Sequence, residues 1–237
     1  MQTPDKIFRK DLSSFTQDEI RILFDRYQRI DVLFGNDVKI RIPYAKDCSN
    51  ESITFAFERL SPTVEDILFQ ESVVSNDVWS LAGEALGRIH RLDRTTAEDL
   101  GIVCGDFATK NMSMQKDVLV IFDLEPPPNK SGESFRAFVY NTVYFDMARF
   151  LLSVLMSHSF ARPWKFWKNH SAAIHLFLES YTRASGFSLS SEALVRALRQ
   201  SFIEWYTDVR GGWIKKQMKG FAIRLSLWLH RYVYHTI

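Results

Sequence analysis

The chain has 237 residues, 46% of them hydrophobic and 24% charged, which is enough apolar material for a real core and too much for a disordered segment. Its 30 Lys and Arg against 28 Asp and Glu leave a net charge of +2, so bulk charge draws it neither to nucleic acid nor to an acidic membrane, and no nucleic-acid partner is expected. Two cysteines, Cys48 and Cys104, exclude a disulfide framework, and the lack of paired Cys/His spacing excludes a zinc site.

The N-terminus, MQTPDKIFRKDLSSF, lacks the apolar stretch of a signal peptide, and no apolar run approaches bilayer length, so a soluble, cytoplasmic protein is expected. Residues 5–10, DKIFRK, alternate as a short strand. Ser13 or Ser14 then stands where it can cap a helix over residues 16–28, in which Ile20, Leu23, Phe24 and Tyr27 recur at helical spacing. Two strands follow, VKIRIPYA (38–45) and SITFAFERL (52–60), separated by the polar turn KDCSNE.

From Ser61 the pattern turns helical, over residues 63–69 and 77–92, which divides the chain into a small front lobe (1–60) and a larger back lobe (61–237). A loop and short hairpin fill 101–125, with residues 118–122 as the clearest strand, and PPPNKSGES (126–134) reads as an irregular surface loop. ARPWKFWKNH (161–170) reads as a loop pinned by its tryptophans onto helices over 140–158, 170–184, 190–208 and 212–235. The fold class is therefore α+β, with strands concentrated in front, helices behind, and a ligand cleft between. The last helix combines an apolar stripe with Lys215, Lys216, Lys219, Arg224 and Arg231; this reads as core packing with a solvated basic edge, or as a peripheral membrane contact.

The chemistry concentrates in GIVCGDFATKNMSMQKDVLVIFDLE. Asn111 follows Asp106 by five positions, and Asp123 comes seventeen after Asp106, directly behind an apolar strand. Phosphoryl transfer needs an oxygen base beside the attacking hydroxyl and hard oxygen ligands for Mg²⁺, and these three residues supply that set. No Gly-x-Ser-x-Gly elbow, His-Glu-x-x-His helix or Walker lysine loop competes with them.

This segment resembles the catalytic and metal-binding loops of the aminoglycoside phosphotransferase and choline kinase group, within the protein-kinase-like superfamily. Cys104-Gly105-Asp106-Phe107-Ala108-Thr109-Lys110-Asn111 is similar to that group's H-G-D-x-x-x-x-N, with Cys104 at the His position, and Ile121-Phe122-Asp123-Leu124-Glu125 is similar to its second motif. ALGRIHRLD (85–93) and YFDMARFL (144–151) resemble the flanking helices. The resemblance implies a two-lobed kinase-like fold using ATP and Mg²⁺. Asp106 would accept the hydroxyl proton, Asn111 and Asp123 would hold the metal, and Glu125 would assist at the metal or substrate edge. Asp146 would brace the catalytic loop, and His90 would be a packed structural residue. For the phosphate-binding lysine and its glutamate the resemblance points to Lys6, with Lys10 as the alternative, and to Glu19. Glu58-Arg59-Leu60 would form the hinge whose backbone reads adenine.

The departures are Cys104 and the absence of any G-x-G-x-x-G; with five residues before Lys6, the phosphate-covering hairpin is expected either to be missing or to lie upstream of Met1. The implied reaction is transfer of a γ-phosphoryl group to a hydroxyl of a small molecule or of a glycolipid sugar. A catalytically impaired pseudokinase acting as a binding module, and an atypical protein kinase, are the competing readings.

Overall fold

A computed structural model of the chain describes residues 7–56, 62–70, 74–124, 140–157, 163–208 and 213–229. The first strand, β1 (Ile7–Asp11), leads into helix α1 (Gln17–Phe34). The helix starts two to three residues later than Ser13 or Ser14 would place it, because Thr-x-x-Glu makes a capping box. The Glu19 N–H donates to Thr16 Oγ1 (3.3 Å), and the Thr16 N–H donates to Glu19 Oε2 (2.6 Å). It also runs six residues past Gln28, because the buried stripe continues through Ile30 to Phe34 before Gly35 closes the last turn onto Asp31.

The strand expected over 38–45 is two strands in two sheets. Pro43 lacks a ladder donor and interrupts it. β2 (Ile40–Arg41) pairs in parallel with a distant strand, whereas β3 (Tyr44–Cys48) pairs antiparallel with β4 (Ser52–Ala56). β4 pairs on its other side with β1, giving the sheet order β1-β4-β3, and α1 packs on β3. In this sheet Ala45, Ile53 and Phe55 turn toward the core and Tyr27 of α1, whose ring meets Phe55 edge-on at 4.8 Å.

Helices α2 (Val64–Phe69) and α3 (Asn76–His90) begin where the periodicity predicts. Strands β5 (Gly101–Ile102), β6 (Met112–Gln115) and β7 (Val118–Ile121) follow, with a 3-10 turn at Thr109–Asn111. β6 and β7 form the expected hairpin, and β7 is the partner of β2. Residues 140–141 are not helical: β8 (Tyr140–Asn141) pairs with β5 before α4 (Val143–Met156) begins.

Three further helices are described, α5 (Pro163–Ser185), α6 (Ser191–Asp208) and α7 (Trp213–Leu229). The segment expected to be a loop over 161–170 is, from Pro163 on, the start of α5. Proline fits a helix's first turn, and Asn169 and His170 are already buried.

Among the described residues α3 and α5 make the most extensive helix contact, and glycine permits it. A Cβ at Gly83 would stand 2.2 Å from Phe177 O, and one at Gly87 would stand 2.8 Å from Tyr181 O. Trp79, Phe107, Phe150 and Phe177 fill the space between α3, α4, α5 and the loop that precedes the 3-10 turn, with Phe150 stacked on Phe177 at 4.4 Å. Among the described residues no helix is long and apolar enough to cross a membrane.

Candidate active site

The loop entering the site turns at Gly105. The Asp106 N–H donates to Cys104 O (2.6 Å) across a glycine at φ +64°, a γ-turn that a side chain would strain. The 3-10 turn then brings Asn111 back, so that its Nδ2 donates to Asp106 O (2.9 Å) and to Asp106 Oδ2 (3.1 Å). Lys110 Nζ lies 2.7 Å from the same carboxylate oxygen. The Phe122 N–H donates to Asn111 O (3.0 Å), which ties the segment after β7 to this turn. Asp123 follows at φ +65°, in the left-handed region that costs an L-residue about 1–2 kcal/mol. Its Oδ1 forms an ion pair with Lys10 Nζ of β1.

These groups open on a cleft of about 620 Å³, whose lining includes Lys10, Asn111 and Asp123 together with the apolar Phe8, Phe55 and Phe122. A second cavity of about 400 Å³ is lined by Asp106, Arg149, Ser201 and Glu204. Glu65 and Lys110 line both, so the two spaces adjoin; Asp106 lines the smaller one, and its carboxylate meets Lys110 and Asn111, which line the larger. Arg149 and Glu204 stand 3.6 Å apart in the smaller space. The donor set fits a hard divalent cation. Asn111 spends its Nδ2 on Asp106, which leaves its Oδ1 with no partner among the described residues, in the same cleft wall as the Asp123 carboxylate.

A fully buried network underlies the loop. Asp146, in the first turn of α4, accepts from the Cys104 N–H (2.8 Å), from the Gly105 N–H (2.9 Å) and from His90 Nε2 (3.1 Å). His90 Nδ1 lies 2.9 Å from the Tyr181 hydroxyl, which donates to it when the ring is neutral. Burial, above all, holds the His90 pKa down at about 4, against a stabilising bond from Asp146. Burial opposes ionisation of Asp146, but the His90 bond and the loop amides overcome it and its pKa is lowered. The Cys104 thiol is pushed up to about 12 by burial and by Asp146. His90, Cys104 and Asp146 lie close enough to suggest a metal site, yet the thiol stays protonated and the Asp146 oxygens already serve backbone amides. The cluster is a brace. It grips position 104 through its backbone N–H, so the hold on the loop does not depend on the Cys104 side chain.

Asn111 and Asp123 thus share the wall of the larger cleft, Asp106 lines the smaller one and bonds to Asn111, and Gly105 turns the chain just before it, with Asp146 and His90 bonded to that loop. Lys6, Glu58, Leu60 and Glu125 lie outside the described residues. Lys10 is the lysine that meets Asp123, whereas the Glu19 carboxylate is committed to the cap of α1 and takes no part in that pair. Sequence reasoning missed Glu65, Arg149 and Lys110. Only Lys110 left a trace, as a cation inside the Asp106–Asn111 spacing.

No protein-family model matches the chain, and no curated protein matches it in sequence. Solved structures do resemble it. One is described as amicoumacin kinase hAmiN in complex with AMP-PNP, Ca²⁺ and Ami, with 12% identity, 94% of this chain and 80% of that chain covered, and a TM-score of 0.51. At that identity the likeness shows the fold: a mixed α+β, kinase-like chain with small sheets and mostly helical content.

Proposed function

We propose that this protein is an ATP- and Mg²⁺-dependent phosphotransferase acting on a hydroxyl of a small molecule or of a glycolipid sugar. The observation that carries the reading is that Asp106, in the wall of the smaller cavity, is bonded to Asn111 and Lys110, which line the larger one together with Lys10 and Asp123. The fold's likeness to a kinase solved with AMP-PNP and Ca²⁺ supports it.

In this reading the larger cleft takes the nucleotide, with the rings of Phe8 and Phe55 on its apolar wall and Lys10 reaching the phosphates. Asn111 and Asp123 would hold Mg²⁺, which when bound neutralises charge on the phosphate oxygens. The acceptor enters the smaller cavity, where Glu65, Arg149 and Glu204 offer polar partners and about 400 Å³ suits a small molecule or one terminal sugar. The acceptor oxygen attacks the γ-phosphorus, the bond from that phosphorus to the β-phosphate oxygen breaks, and the hydroxyl proton passes to Asp106 as ADP leaves. Asn111 and Lys110 fix the Asp106 carboxylate for that role.

Incubation with γ-labelled ATP, Mg²⁺ and a panel of small hydroxyl acceptors tests the proposal. Label should pass to at least one acceptor, and Asp106→Asn should lower the rate about 100-fold or more, the usual worth of a positioned general base. Label in no acceptor, despite Mg²⁺-dependent ATP binding, would return the protein to the binding-module reading. Full activity in Asp106→Asn would remove the assigned role.

A further inference from the structure

Two consecutive side chains of α1 reach out of their helix and grip the two segments that carry the site. Leu124, the residue after Asp123, donates its N–H to the Tyr27 hydroxyl (2.9 Å), and its carbonyl accepts from Arg26 Nη1 (3.4 Å). The same guanidinium donates to Val103 O (2.9 Å) and, through Nη2, to Ile102 O (2.9 Å), the two residues that lead into Cys104, Gly105 and Asp106. Arg26 is 4% exposed and sits on the apolar face of α1, among Leu23, Tyr27 and Ile30.

A buried guanidinium at such a position is not explained by stability, since an apolar residue of similar volume commonly serves packing as well. What Arg26 supplies instead is geometry: one rigid fork bonds carbonyls on both catalytic segments at once. Asp123 has the left-handed backbone of a residue held by its surroundings, and the residue immediately following it, Leu124, is held at its N–H by Tyr27 and at its carbonyl by Arg26. We propose that Arg26 and Tyr27 are positioning residues. They lock Asp123 in its left-handed conformation and hold the entry to Asp106 in the same frame, so that the seating of α1 sets the metal-ligand geometry. The consequence for metal rests on the phosphotransferase reading; the clamp itself does not.

The test uses the full chain with Tyr27→Phe and Arg26→Met, and with Arg88→Met as control. Arg88 holds the far end of α1, through Leu33 O (2.6 Å) and Asp37 (2.5 Å), and has no part in the clamp. Hydrogen exchange, read without nucleotide, should show faster exchange at the Leu124 amide in Tyr27→Phe and across 101–106 and 121–124 in Arg26→Met, with α3 and α5 unchanged. Titration of Mg²⁺ at fixed ATP, followed by thermal shift, should show a half-saturation raised about 10- to 100-fold in both, the usual effect of losing a partner that orients a ligand. Arg88→Met should lower the melting temperature and leave that half-saturation in place. Unchanged Leu124 exchange and an unchanged Mg²⁺ requirement in Tyr27→Phe would overturn the clamp, as would an equal Mg²⁺ shift in Arg88→Met. Tyr27→Phe keeps the ring and its contact with Phe55, so the test stands even if Arg26→Met does not fold. If the wild type shows no response to Mg²⁺ and ATP, the phosphotransferase reading fails, and the exchange data alone decide the clamp.

Discussion

Asp146→Asn removes one charge and no volume from the centre of the brace. The carboxylate accepts three bonds, from the Cys104 N–H, the Gly105 N–H and His90 Nε2, in a site with no solvent exposure. With the amide oxygen at the Oδ2 position, the variant keeps Cys104 and His90, and its NH₂ then meets the Gly105 N–H donor to donor. Leaving that amide unsatisfied costs about 1–3 kcal/mol, and turning two charge-assisted bonds into neutral ones costs about 1 kcal/mol each. The sum, about 3–5 kcal/mol, corresponds to a drop of roughly 10 °C in melting temperature for a chain of this size. Urea unfolding at pH 7.5 measures it. Nucleotide turnover at a temperature where the variant remains folded should also fall, because Gly105 immediately precedes Asp106. A variant within about 1 kcal/mol of wild type, the value of one ordinary hydrogen bond, would show that the loop is held by something other than Asp146.

The α3–α5 contact gives a second prediction: Gly83→Ala forces a Cβ against Phe177 O, and should destabilise by about 2 kcal/mol or more, whereas alanine on an exposed helix face would stabilise. A neutral Gly83→Ala in urea unfolding would contradict the close approach. His90 makes the fold acid-sensitive in a defined window. Its pKa falls from 6.5 unfolded to about 4 folded, so the unfolded chain binds more protons between those values; stability is full above pH 6.5 and declines as pH falls toward 4. That decline should amount to about 3 kcal/mol, with the lowered pKa of Asp146 adding a loss of the same sign at still lower pH. His90→Gln, which can still donate to Asp146 and accept from Tyr181, should flatten the profile of unfolding free energy against pH between 6.5 and 4. An unchanged acid slope in that variant would assign the sensitivity elsewhere.

The parts of the site that were legible before the structure are those whose logic is local. Gly105, Asp106, Asn111 and Asp123 lie within nineteen residues, and their spacing reflects one turn and one hairpin. Asp146 and His90 were legible through the segments around them, although the shape of the brace was not. Tyr27 stood out only as one more apolar position of α1, and Arg26 did not stand out at all. Its partners are backbone carbonyls 76 to 98 positions away, which no local pattern encodes. The same limit hid the division of residues 38–45 at Pro43, since β2 finds its partner β7 near residue 119. Where local chemistry was read too coarsely, the errors were local too. The Thr16–Glu19 box outcompeted Ser13 and Ser14 as a cap, and the aromatic, basic texture before residue 170 belongs largely to a helix.

The central claim is that Asp123 holds a metal-bound nucleotide in the larger cleft, and thermal unfolding with ATP and Mg²⁺ tests it most directly. A ligand at 100 times its dissociation constant stabilises the folded state by about 2.7 kcal/mol, several degrees for this chain length. The wild type should gain that shift only when ATP and Mg²⁺ are both present, and Asp123→Ala should lose the Mg²⁺-dependent part. No shift in the wild type, or an equal shift in Asp123→Ala, would contradict the account.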